Sequence, residues 1–384
     1  MSRCTLAPSP TAAAWQRFST RAGFFSFGFM LSSWAPLAAL AKSRIGLDDS
    51  AFGLALLWFG IGSLIAMPLG SAAASRLGCR FINLGFGPLA CACLFALAST
   101  DDARMLSLSL FLFGCGIGTL ESAMNLQAAA VQRLHAAPLM SGFHAWFSIG
   151  AIAGSAGVSS LLSLRVPPPG AVACVAAVML VLWLLAGRHF IGRIASGKRA
   201  AWRLPTRAVV WIGVLCFVIF LAEGAVLDWS GVFLTTRKAF SPAHAGYGYA
   251  AFAAAMAVGR LGGDRLAGAI GARRILLAGS LAAAASLVAL VWLDHWLVLM
   301  LLFATLGLGL ANLVPLLFLQ ISRQTRMPVE LAMPVVATLG YAGMLAGPAI
   351  LGSIAQTAGL PAAFAIVAAL LLLAAASSRV VTPG

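Results

Sequence analysis

The sequence predicts an all-α membrane protein of about 12 transmembrane helices in two pseudo-symmetric six-helix bundles. Three observations carry that reading. Of 384 residues, 61% are hydrophobic and 9% charged, with mean hydropathy +0.98, whereas a soluble domain carries about 25% charged residues. Apolar runs of ~18 or more residues recur from near Arg21 to near Arg379, each long enough to cross a ~30 Å hydrocarbon core as a helix. The chain also repeats: Gly70 and Gly263, Gly78 and Gly271, Arg80 and Arg273, Gly150 and Gly343, and Gly154 and Gly347 each stand 193 residues apart, with Trp34 and Trp229 at 195. A strand barrel is excluded because its segments alternate apolar and polar residues, and these are continuous and rich in Ala, Leu and Gly.

Charge bounds each expected helix in turn. The first spans 22–42, between Arg21 and Lys42. The next are 52–74, 81–99 and 105–132, separated by Arg76 with Arg80 and by Asp101 with Asp102. Helices 140–162 and 169–187 flank Arg165, and 208–235 runs from Arg207 to Arg237. The last five are 244–266, 274–293, 295–320, 330–357 and 361–379. The longest polar interval holds Arg188, Arg193, Lys198, Arg199, Arg203 and Arg207. The expected organisation is therefore an N-terminal tail at 1–21, a bundle at 22–187, a basic loop at 188–207, a second bundle at 208–379 and a short tail at 380–384.

The net charge of +15 does not mark a nucleic-acid binder, because the basic residues are scattered through short loops. Only Lys42, Arg44, Arg104, Arg165, Arg237 and Lys238 fall on one side if the first helix starts inside. The positive-inside rule then places both termini in the cytoplasm of a bacterial-type inner membrane. Seven cysteines lie mostly within apolar runs and show no metal or disulfide spacing, so they read as small buried hydrophobes. The first apolar stretch ends in a signal-like A-L-A, Leu40 flanked by Ala39 and Ala41, yet it is long for a cleaved leader and reads as a retained helix.

The loop G-S-A-A-A-S-R-L-G-C-R, Gly70 to Arg80, with Arg76 and Gly78 inside it, resembles the helix 2–3 loop signature of the major facilitator superfamily, although Ser75 stands where that signature has an acid. Its second-half counterpart, Gly259 to Arg274, keeps an Asp264–Arg265 pair ahead of Arg273. The segments E-S-A-M-N-L-Q, S-G-F-H-A-W-F-S and A-E-G-A-V-L-D-W-S are similar to a bacterial permease branch near the fucose permeases. The resemblance implies a gate role for these loop residues, a monomeric protein, and a central cavity lined by helices 1, 4, 7 and 10.

An acid at the centre of a spanning helix costs roughly 2.5–3.5 kcal/mol, and each Leu returns only about 0.3–0.6. Glu223 and Asp228 share the seventh helix regardless. They lie ~7.5 Å apart in depth and about 140° apart around the axis, so one is expected on the pathway and the other on a helix partner or the outer gate. Glu121, with Asn125 one turn on, sits at mid-depth in the fourth helix, as Asn312 does in the tenth. Carboxyl groups in low-dielectric sites exchange protons near neutral pH. Glu121, Glu223 and Asp228 are thus the proton-coupling candidates, with His144 as a relay to the inner exit. Trp34, Asn125, Trp229, Asn312 and Tyr341 are the substrate-binding candidates, the rings as stacking surfaces; ordinary helix packing is the alternative for every one.

No G-x-x-x-x-G-K-[ST] run occurs, and no Ser/His/Asp or H-E-x-x-H arrangement suggests an enzyme. The expectation is a secondary active transporter, proton-coupled and without cofactor or metal, whose partners are a small polar solute and the bilayer. Sugar or polyol uptake leads; export of a drug or metabolite against protons is the alternative, and a non-transporting sensor or scaffold is the reading from another class.

Overall fold

The computed structural model describes residues 10–133, 139–192, 204–323, 327 and 329–378. Its helices are α1 (Pro10–Ile45), α2 (Asp49–Leu77), α3 (Cys79–Ser99), α4 (Ala103–Arg133), α5 (Met140–Ser163), α6 (Pro168–Ala186), α7 (Arg207–Arg237), α8 (Tyr247–Ile270), α9 (Ala272–Trp292), α10 (Trp296–Leu310), α11 (Leu313–Arg323) and α12 (Val329–Ala376). No strand occurs among the described residues.

These amount to twelve crossings. α10 and α11 are two halves of one, interrupted at Ala311 and Asn312. α12 has 48 residues, about 72 Å at ~1.5 Å per residue, and so holds two; the chain turns inside it at Gly359, where φ is 82°. Ten stretches are apolar enough to span on composition alone. α8 is not among them, since Arg260, Asp264 and Arg265 crowd its second half.

α1 starts at Pro10 rather than at 22, because Thr11 to Trp15 contains no helix breaker and proline is at home in a first helical turn. Of the expected central loop, residues 193–203 lie outside the described residues, as do 1–9, 134–138 and 379–384. The loop's start is tied to the first bundle: Ser19 Oγ donates to the His189 carbonyl at 3.1 Å, and the Ile191 N–H donates to Gln127 Oε1 at 2.9 Å.

In the first half α1 packs on α5, α2 on α4, and α3 on α4 and α6; in the second α7 packs on α12, α8 on α10, and α9 on α10 and α12. The repeat seen in the sequence is repeated contact by contact. A Cβ at Gly114 would run into the Phe59 carbonyl, and one at Gly307, 193 residues on, into that of Phe252. Gly150 meets the Phe25 carbonyl as Gly343 meets that of Phe217. Only glycine lets two backbones approach this closely. Charged caps repeat too. Arg44 donates to the carbonyls of Leu97, Ala98 and Thr100 at 2.8–2.9 Å and pairs with Asp101 at 3.0 Å. Lys238, 194 residues on, donates to the Val291 carbonyl at 2.9 Å and pairs with Asp294 at 2.7 Å. Each satisfies the orphan carbonyls at the end of a helix, α3 or α9.

The two halves meet tightly at the face opposite the N-terminus. There Ser155 Oγ donates to the Gly246 carbonyl at 2.7 Å, Ser160 and Tyr247 exchange a hydrogen bond at 3.2 Å, and the Asp49 N–H donates to Gln356 Oε1 at 3.2 Å. Gly53 and Gly352 bring α2 and α12 into backbone contact.

Candidate functional site

Behind that closure, on the side of the N-terminus, the halves part around a cavity of about 520 Å³. Its polar groups come from both halves: Glu121 and Asn125 on α4, His144 and Ser148 on α5, Glu223 on α7, Arg260 on α8, Asn312 at the α10–α11 break and Tyr341 on α12. Between them the wall is aromatic, with Phe24, Phe27, Phe59, Phe147, Phe220 and Phe318.

Glu121 and Asn125 share a face because they are one turn apart. The Tyr341 hydroxyl donates to Glu121 Oε1, a bond that ties α12 to α4 across the two halves. Its ring stacks on Phe220, centroids 5.4 Å apart and planes at 9°, so packing fixes the hydroxyl's direction.

Glu223 faces Arg260, with Nη2 3.6 Å from Oε1. That is an ion pair too long for a hydrogen bond, and Oε1 is buried without a hydrogen-bond partner. Arg260 Nε donates to the Ala311 carbonyl at 3.3 Å. This acceptor is available because the residue four positions on is Pro315, which has no N–H to give it. Asn312 turns its amide to α8, donating to the Gly259 carbonyl at 2.9 Å, and a Cβ at Gly263 would strike it. The break in the tenth crossing is thus docked on a glycine face of α8.

A second, smaller cavity of about 60 Å³ continues past the Glu223–Arg260 pair and reaches Ser148 and Tyr249. Tyr249 is hydrogen-bonded to Ser32 at 3.5 Å. His144 lies on the main wall with its ring edge-on to Phe24 at 5.0 Å.

Of the residues singled out in the sequence, the cavity brings together Glu121, Asn125, His144, Glu223, Asn312 and Tyr341. It does not include Trp34 or Trp229, which corrects their expected place among the substrate contacts, nor Asp228, which takes the helix-partner alternative expected for one of the two acids of this helix. Trp34 Nε1 donates to Asp228 Oδ1 at 3.3 Å inside the outer closure, and Trp229 is fully buried edge-on to Phe52 at 5.6 Å. The physical reason is the helical angle: five residues from Glu223, Asp228 looks toward α1 and not into the cavity. Among the loop residues, Gly78 and Gly271 turn the chain with φ of 99° and 83°, Gly70 packs on Thr119, and Arg76, Arg80, Arg265 and Arg273 stand at the cavity-side ends of α2, α3, α8 and α9. The side chain of Asp264 lies outside the described residues.

Arg260 is the residue that sequence reasoning missed, since it was counted with the loop cations beside Arg265. Depth could have found it: Arg260 is 13 positions past Tyr247, where α8 begins, or roughly 20 Å at ~1.5 Å per residue. The aromatic wall left no signal, because phenylalanine is common throughout the chain.

A helical membrane protein of two repeated bundles, with a polar-spotted cavity between them open at one face only, has the architecture of a secondary transporter. The sequence pattern of the Major Facilitator Superfamily matches residues 20–329, and the chain belongs to that family. It is 44% identical over 368 residues, 96% of each chain, to an uncharacterized MFS-type transporter of Yersinia pestis. It is 28% identical over 362 residues, 92% of this chain and 87% of the relative, to membrane protein MosC of Rhizobium meliloti. In structure it is similar to a mutant of the nucleoside transporter NupG, with TM-score 0.76 and 14% identity over 95% of this chain and 99% of that one, a likeness of fold alone. The protein is an MFS-type transporter and not an enzyme.

Proposed function

We propose that the protein is a proton-coupled secondary transporter of the inner membrane that carries a small amphipathic solute by alternating access. The observation that carries this is the 520 Å³ cavity, which holds carboxyl groups from both halves, Glu121 and Glu223, and is shut toward the face opposite the N-terminus. With both termini in the cytoplasm, as the charge bias favours, this is the cytoplasm-facing state. Glu223 with Arg260 serves as the proton-coupling pair, and Glu121 with Tyr341 reports which way the halves are tilted. Asn125, Asn312 and the aromatic rings hold the solute. Asp228 with Trp34 serves the outer closure, and Arg76, Arg80, Asp264, Arg265 and Arg273 serve the inner one. The working unit is a monomer, and the bundles move as 22–187 and 208–379.

Sugar or polyol uptake is supported by the segments similar to the fucose permeases. The wall favours a second reading, proton-driven export of an amphipathic metabolite or drug, since six phenylalanines outweigh the few hydrogen-bonding side chains around them. The test is a reconstituted liposome of defined protein orientation under an imposed pH gradient. Solute accumulation toward the alkaline side supports symport, accumulation toward the acidic side supports exchange, and indifference to the gradient removes proton coupling.

A further inference from the structure

Arg260 is the one arginine or lysine on the main cavity wall among the described residues, and it is under-used. A guanidinium is a planar fork of N–H donors. Here Nε donates to the Ala311 carbonyl at 3.3 Å, and Nη2 stands 3.6 Å from Glu223 Oε1. No other hydrogen bond of the fork occurs among the described residues. Glu223 Oε1 is buried with no hydrogen-bond partner. Both charges have left water without recovering full hydrogen bonding, so the pair is a weak clamp, and the guanidinium remains partly open to the cavity with 29% of its side chain exposed. Phe27, Phe147, Phe220 and Phe318 give the same cavity its apolar surface.

We infer that Arg260 takes the anionic head of the transported solute, that the solute is a small carboxylate with an apolar or aromatic body, and that Glu223 must accept a proton to release the guanidinium to it. A carboxylate matches the fork in two parallel hydrogen bonds, which a hydroxyl or a sugar ring does not. With Glu223 ionised, the incoming anion meets a like charge beside its site; with Glu223 protonated, anion and guanidinium balance. One proton therefore travels with each carboxylate. A cationic solute finds no free acid, since Glu223 faces Arg260 and Tyr341 holds Glu121. The inference rests on the cavity being the transport site and names its substrate class.

The charged or titratable groups around Glu223 are Arg260 and Tyr249 on α8, Tyr341 on α12, Glu121 on α4, His144 on α5, and Cys216 and Asp228 on its own helix. Protonation of Glu121 or His144 would change the charge met by an anion in the same sense as that of Glu223, so each needs its own control.

The experiment measures binding of benzoate, hexanoate, benzyl alcohol and benzylamine to the purified protein by calorimetry and thermal shift across pH. Benzoate or hexanoate binds, the alcohol and the amine bind at least tenfold more weakly, and the carboxylate Kd weakens with rising pH by up to about tenfold per pH unit, the limit for one linked proton. Glu223→Gln binds at least as tightly with a flat pH profile, whereas Glu121→Gln and His144→Gln each still weaken with rising pH. Arg260→Gln loses binding and Arg260→Lys recovers little of it; if Arg260→Gln does not fold, Arg260→Gln with Glu223→Gln removes both charges of the pair together. Preference for the amine or the alcohol, unchanged benzoate binding without Arg260, or no carboxylate binding at all overturns the inference. Spin labels at Ser160 and Tyr247 across the outer closure separate the two levels. A pH-dependent distance without carboxylate binding leaves the carrier standing and sinks the substrate class; a fixed distance together with no binding sinks both.

Discussion

Tyr341 on α12 and Glu121 on α4, 220 residues apart in sequence, share a hydrogen bond across the cavity. It joins the two bundles inside the cavity, so its strength weighs on how the two bundles stand to each other. Tyr341→Phe keeps the stack on Phe220 and removes only the hydroxyl. An intramolecular hydrogen bond contributes about 0.5–1.5 kcal/mol. Its loss should shift the population away from the present state by roughly two- to tenfold, read as a changed distance distribution between labels on α4 and α12. An unchanged distribution would show that the bond survives in both states.

Trp34 and Asp228 form the corresponding link in the closed half, 3.3 Å apart and shielded from solvent. Trp34→Phe keeps most of the bulk but strands the carboxyl group, at a cost of about 1–3 kcal/mol. Hydrogen exchange should then rise in the ends of α1 and α7 at this closure while their opposite ends stay protected. Asp228→Asn, which still accepts from the indole, should show a smaller rise.

The glycine–carbonyl contacts that recur in both halves should fail alike. Gly114→Ala and Gly307→Ala each place a methyl group against a carbonyl, of Phe59 or Phe252, and overpacking of this kind costs about 1–3 kcal/mol. Gly85 has open space where its Cβ would lie, so Gly85→Ala should leave thermal stability unchanged or raise it through better helix propensity, worth up to about 1 kcal/mol. Equal melting temperatures for all three variants would contradict the packing argument.

Arg44 closes α3 with three hydrogen bonds to carbonyls. Arg44→Lys retains the charge facing Asp101 but loses the fork. It should therefore recover only part of the stability that Arg44→Gln loses, measured as melting temperature in detergent. Full recovery would mean that charge alone matters at this site.

The helices were legible because each crossing must bury its own backbone hydrogen bonds in hydrocarbon, which forces long apolar runs that composition displays. The errors of boundary have local causes. The tenth crossing looked continuous because its run stays apolar around Ala311 and Asn312, although Pro315, four residues past Ala311, removes a helical N–H. Helix α1 extends back to Pro10 because residues 11–21 hold no glycine or proline, so Arg17 and Arg21 end an apolar run without ending a helix. The membrane acids announced themselves by their cost, and Glu121 and Glu223 do face the cavity. Their neighbours were less readable: Trp34 and Asp228 stand on helices 1 and 7 at a plausible depth, and only the rotation of each helix turns them toward each other.

The sequence by itself determined a chain of apolar helices in two related halves with costly polar residues at mid-depth, because hydrophobicity and repetition are written residue by residue. Tertiary structure alone decided that Arg260 faces Glu223, that Tyr341 reaches Glu121, and that Asp228 meets Trp34. Those pairings depend on helix rotation and on which bundles touch, and residues from α4 and α12 or from α7 and α8 become neighbours only after the helices have packed.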